Sequence, residues 1–69
     1  MPPTLGQRLR YARKARGIRQ QEAAPLLQTD QTTLSRWETG RRTIPADRVP
    51  MIEAFIAGRS PQGEEGREG

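Results

Sequence analysis

Asp30-Gln31-Thr32-Thr33-Leu34-Ser35-Arg36-Trp37-Glu38-Thr39-Gly40 is the stretch on which the reading of this chain turns. Asp30 is a residue type that caps helices, its carboxylate able to accept from the N–H of Thr32 or Thr33. Gly40 stands behind, where a left-handed residue ends a helix at little cost. Between them the spacing predicts a helix over residues 31–38. At about 100° per residue, Thr33, Leu34 and Trp37 gather on one side. Gln31, Thr32, Ser35 and Arg36 share the other, an arc of roughly 140° on the same spacing. Gln suits adenine, Arg suits guanine, and Ser or Thr suit several base edges. A helix with such a front is expected to lie in the major groove of DNA.

Upstream, residues 20–27 form a second expected helix, entered through Ile18, which turns towards the core. Ala23, Ala24 and Leu27 make its inner side, and Glu22 suits the positive end of the dipole. Arg19 stands where Ser, Thr or Asp would cap better. Pro25 lacks an N–H and crowds the carbonyl of Gln21, at about 3 kcal/mol in a helix interior, so a kink or an irregular first half is expected. Gln28-Thr29-Asp30 is then a three-residue turn, the length that joins the helices of a helix-turn-helix. Before it, residues 5–16 predict a first helix, with Thr4 and Gln7 as a capping box. Leu5, Leu9 and Ala12 form its apolar stripe, and Gly17 ends it. Arg13, Lys14 and Arg16 fall in its last turns, where helix-terminus electrostatics alone accounts for Lys14 and Arg16.

Downstream, Arg41-Arg42-Thr43-Ile44 is a basic loop. Pro45 suits the first position of a fourth helix that continues to about residue 57, with Asp47 in its first turn and Gly58 as its stop. Pro50 should kink that helix or split it into a short turn followed by a restart. Val49, Ile52 and Ile56 make one face; Met51 and Phe55 make another. Met51 and Phe55 are candidates for a homodimer surface, the alternative being closure of a thin core. Residues 59–69 offer no core-forming side chain and are expected to be disordered. The domain therefore spans residues 4–58.

The 69 residues bound the fold to one small domain. With no cysteine and no histidine, disulfides and thiolate sites are excluded and no metal or other cofactor is expected. No apolar run approaches a membrane span and the start has no apolar leader core, so a cytoplasmic, nucleoid-associated protein is expected. Residues 1–58 carry ten Lys or Arg against five Asp or Glu, and Arg8 to Arg19 alone hold six basic residues and no acidic one. Such density is often a solvated face, yet on so basic a chain it points to a polyanion. A Gly-rich phosphate loop and paired carboxylates are missing, which argues against an enzyme.

Leu9, Arg13, Gly17, Ile18, Gln20, Glu22, Ala24, Leu27, Thr33 to Glu38, Gly40 and Pro45 together resemble the phage-repressor and Cro type (XRE-like) helix-turn-helix family. Residues 44–49 also look like the YdaS-type, Cro-like regulators at the entry to helix 4. The resemblance implies an all-α, lambda-repressor-like bundle of four or five short helices that binds double-stranded DNA and regulates transcription, as a repressor. It implies base contacts from Gln31, Thr32, Ser35 and Arg36. Phosphate contacts would come from Gln20, Arg41 and Arg42, with Arg19 turned to the same role. Arg13 and Glu38 would form a partly buried structural ion pair. Trp37 would be core, although a tryptophan can also stack on nucleic acid. Gln28 departs from the glycine usual in the turn. The other reading is a module, such as an antitoxin or transcription cofactor, that binds a protein partner through the surface of Met51, Ile52, Phe55 and Ile56.

Overall fold

A computed structural model describes residues 2–58, and the expected disorder of residues 59–69 lies outside them. Among the described residues the chain is all-helical: α1 is Leu5–Ala15, α2 Gln20–Leu26, α3 Gln31–Thr39 and α4 Val49–Ile56, with a 3₁₀ turn at Ala46–Arg48 before α4. α1 packs against both α3 and α4, and α2 packs against α3.

Local chemistry sets the helix starts. Thr4 Oγ1 accepts from the N–H of Gln7 at 3.1 Å, and Gln7 Oε1 accepts from the N–H of Thr4 at 2.9 Å. Asp30 Oδ1 accepts from the N–H of Thr33 at 2.7 Å. α2 lacks a capping side chain at Arg19, but Glu22 reaches back and accepts from the Arg19 N–H at 2.9 Å. That satisfies one of the orphan donors every helix start leaves. The expected split of the fourth helix is present: Pro45 precedes the 3₁₀ turn and Pro50 lies in the first turn of α4. Pro25 is accommodated differently. α2 runs unbroken from Gln20, and Pro25 occupies its penultimate position, so the missing N–H falls in the closing turn.

Three helix ends share one geometry. After α1, the N–H of Ile18 donates to Arg13 O and that of Gly17 to Lys14 O, both at 3.0 Å. After α3, Arg41 N–H donates to Arg36 O at 2.9 Å and Gly40 N–H to Trp37 O at 3.3 Å. After α2, Thr29 N–H donates to Ala24 O at 2.9 Å and Gln28 N–H to Pro25 O at 3.1 Å. These nested 6→1 and 5→2 bonds need a left-handed residue at the turning point. Gly17 (φ 69°) and Gly40 (φ 82°) provide it twice; the third is Gln28, at φ 56°. The departure from glycine therefore leaves the turn's shape intact. Arg48 Nη2 also donates to Gln28 O at 3.1 Å, tying the turn to the entry of α4.

Leu9, Ala23, Ala24, Leu27, Leu34, Trp37, Ile52 and Phe55 form the core, with Leu5, Ala12, Ile18, Leu26, Ile44, Met51 and Ile56 half-buried against it. Two alanines on α2 allow the close approach that α3 makes. The candidate dimer surface needs correction. Phe55 is only 2 % exposed and Met51 is half-buried. In a chain this short one apolar stripe cannot close the core, so α4 turns both of its apolar faces inward. Arg16 covers the far end: its guanidinium lies 4.6 Å over the Phe55 ring, and Nη2 donates to the carbonyls of Phe55 and Ile56 at the C-terminus of α4. The basic end of α1 thus complements another helix's dipole as well as its own.

Gly6 carries a contact that periodicity does not show. A Cβ placed there would sit 2.0 Å from Trp37 O, so α1 meets α3 backbone to backbone.

Candidate nucleic-acid interface

α3 divides along its length. Leu34 and Trp37 are buried in the core. With Trp37 only 4 % exposed, its ring is not available to stack on a base. Glu38 is equally enclosed and tied to two other helices. Arg13 Nε and Nη2, from α1, donate to Glu38 Oε2 and Oε1 at 2.7 and 2.9 Å. Gln20 Nε2, from α2, donates to the same Oε1 at 3.1 Å. Arg13 Nη1 meanwhile donates to Ile18 O at 2.9 Å. A bidentate guanidinium and an amide leave the carboxylate fully paired, as a charge buried this deeply requires. This network fixes the rotation of α3 about its own axis. It also keeps a carboxylate of the helix away from any approaching anion.

The opposite side is what that rotation presents. Gln31, Thr32, Ser35 and Arg36, together with Gln20 and Arg41, line an open concavity of about 430 Å³. Their side chains make no hydrogen bond to one another, and among the described residues only Gln20 has a side-chain partner. Thr39 lines it as well, its hydroxyl donating to Ser35 O at 3.0 Å. A helix expected to stop at residue 38 leaves Thr39 out, whereas α3 includes it. At about 100° per residue it falls inside the same outward arc, so the spacing carries the signal.

The two loop arginines separate. Arg41 joins the α3 concavity. Arg42 lines a more apolar cleft of about 340 Å³ with Leu5, Gly6, Trp37 and Ile44, between the start of α1 and the loop. Arg19 lies on the α2 flank, in a further shallow concavity that shares Gln20 and Gln31 with the first. The structure therefore gathers the four expected base-facing residues with Gln20 and Arg41, sets Arg19 beside them, and places Arg42 apart.

Asp30 gives the start of α3 its electrostatic character. The Thr33 N–H hydrogen bond, then the Thr33 hydroxyl, and then the charges of Arg36 and Arg42 hold its carboxyl below the usual aspartate value of 3.8. An ionised cap opposes the positive end of the helix dipole. Among the described residues no helix is long and apolar enough to cross a membrane.

Geometry of this kind, a capped helix held by its back with its front free, allows hydrogen bonding to a groove while neighbouring cations meet phosphates. Comparison with curated proteins and with solved structures returns no match. A family model described as a helix-turn-helix domain matches residues 4–58. The match covers most of the chain, which therefore belongs to the helix-turn-helix domain family, a DNA-binding regulatory fold.

Proposed function

We propose that the chain is a sequence-specific regulator of the phage-repressor and Cro type, acting as a repressor by inserting α3 into the major groove of double-stranded DNA. The observation that carries this reading is the division of α3. Its back is fixed by the core and the Arg13–Glu38–Gln20 network, while Gln31, Thr32, Ser35 and Arg36 face one concavity with no competing bond in the domain. Base contacts by these four specify the site, and phosphate contacts by Gln20, Arg19 and Arg41 set the register. Residues 4–58 serve as the DNA-binding domain, with 59–69 as a polar tail.

Selection of bound sites from random duplex DNA tests the reading, and enrichment of one motif is expected. On that motif Arg36→Ala should cost about 1–3 kcal/mol and relax preference at one base pair. Arg41→Ala should weaken specific and random DNA alike and flatten the salt dependence. Equal losses on both DNAs for Arg36→Ala would remove Arg36 from base recognition. The protein-binding alternative drew on an apolar surface of Met51, Ile52, Phe55 and Ile56. Ile52 and Phe55 are buried, so of those four side chains Met51 and Ile56, both half-buried, are what the folded domain leaves in reach of a partner.

A further inference from the structure

On the flank of α3, a shallow concavity of about 380 Å³ draws its walls from three helices and the turn between two of them: Arg13 and Lys14 from α1, Arg19 before α2, Gln20 and Gln21 from α2, and Gln31 from α3. It meets the α3 concavity at Gln20 and Gln31. Every side chain lining it is a cation or an amide, and no carboxylate of the described residues lines it. Two of these side chains are already engaged. Arg13 has three nitrogens committed to Glu38 and Ile18 O, and Gln20 Nε2 is on Glu38. Lys14, Arg19 and Gln21 are exposed, and their side chains make no hydrogen bond among the described residues. Glu22, the nearest carboxylate in sequence, is turned to the Arg19 N–H.

Unspent cationic and amide donors converging from separate elements are what a phosphodiester oxygen is recognised by. We propose that Lys14 and Gln21, with Arg19, form a phosphate seat for the DNA strand that enters the groove over Gln31. Lys14 supplies the charge and Gln21 an oriented amide donor. The seat holds the backbone just outside the base step that Gln31 faces, and so fixes how far α3 enters the groove. Lys14 is thereby more than a helix-terminus charge. This inference rests on the DNA-binding reading of α3.

Four full-length proteins on one selected duplex and one random duplex test it, with affinity measured between about 50 and 200 mM salt. Each phosphate contact contributes about 0.9 to the slope of log affinity against log salt, or about 3.5-fold over that range. Lys14→Gln should lower that slope by about this amount and weaken both duplexes by the same factor. Gln21→Ala should weaken both duplexes while leaving the slope unchanged. Arg8→Gln is the control. Arg8 is exposed and lies about 120° around α1 from Lys14, so losing its charge removes field but no contact. Equal slope changes for Lys14→Gln and Arg8→Gln would overturn the seat in favour of a diffuse basic field. A Gln21→Ala protein that binds like wild type would remove Gln21 from it. Wild type that retains no duplex even at low salt would refute the DNA reading itself, and the seat with it.

Discussion

Gln28→Gly should make this protein more stable. Gln28 closes α2 at φ 56°, in the position that Gly17 and Gly40 occupy at the ends of α1 and α3. An L side chain in the left-handed region crowds its own carbonyl, at about 1–2 kcal/mol. Glycine removes that crowding but widens the unfolded ensemble, which takes back about 0.4–1 kcal/mol. The net gain is therefore about 0.8 kcal/mol, between bounds of about 0 and 1.6. In a domain of this size the central figure raises Tm by about 3–6 °C. Nothing else at the site should change, because the Gln28–Pro25 and Arg48–Gln28 bonds use the backbone of residue 28, the Thr29–Ala24 bond uses the backbone of its neighbours, and none of the three uses the Gln28 side chain. Thermal unfolding followed by circular dichroism, with urea titrations to check an unchanged m-value, measures it. Gln28→Ala is the decisive companion. Alanine keeps the Cβ and so keeps the crowding, and it should behave like wild type. A Gln28→Ala protein as stable as Gln28→Gly would show that the glutamine side chain, not the backbone angle, was the burden. A destabilised Gln28→Gly protein would refute the reasoning outright.

Other perturbations probe the contacts that hold α3. Gly6→Ala should cost about 1–3 kcal/mol or more in urea denaturation, because a Cβ 2.0 Å from Trp37 O must push α1 off α3; a neutral result would mean that the two backbones do not touch there. Glu38→Ala should cost about 3–5 kcal/mol by stranding Arg13, whereas the double variant Arg13→Met with Glu38→Leu should recover most of that loss. If the double variant is no better than the single, the pair is not the source of the cost. Asp30 makes stability depend on acid. Its folded carboxyl titrates below 3.8, so its contribution is complete above that value and is lost as pH falls through the depressed folded one. Asp30→Asn keeps a capping acceptor but cannot titrate, and it should lose less stability than wild type over that acidic window; parallel pH curves would contradict the assignment.

The features legible from residue order are those whose causes are local. Thr4 with Gln7, Asp30, Gly17 and Gly40 mark helix ends because their partners lie within a few residues. The outward arc of α3 is legible for the same reason, since one period generates it. Contacts made between elements are where pattern fails. Nothing in the spacing around Phe55 says that both faces of α4 are needed to close the core. Gly6 reads as a neutral helix residue until α3 is laid across it. Arg16 suits its own helix end so well that its reach to Phe55 and Ile56 goes unsuspected. Arg41 and Arg42 look equivalent as neighbours in a loop, yet backbone direction sends them to different concavities.

The division of labour along α3 has a consequence for how such a protein can change over generations. Leu34, Trp37 and Glu38 are bound into the core and the ion-pair network, so altering them endangers the whole domain. Gln31, Thr32, Ser35 and Arg36 lie outside the buried core, and their side chains make no hydrogen bond among the described residues. Substitutions there cost the fold little. On the proposed reading of α3, a lineage carrying this chain can therefore drift to a new target by a few single changes on one helix, each passing through a folded protein. Folding and recognition would then be inherited as nearly independent traits, separated by half the circumference of one short helix.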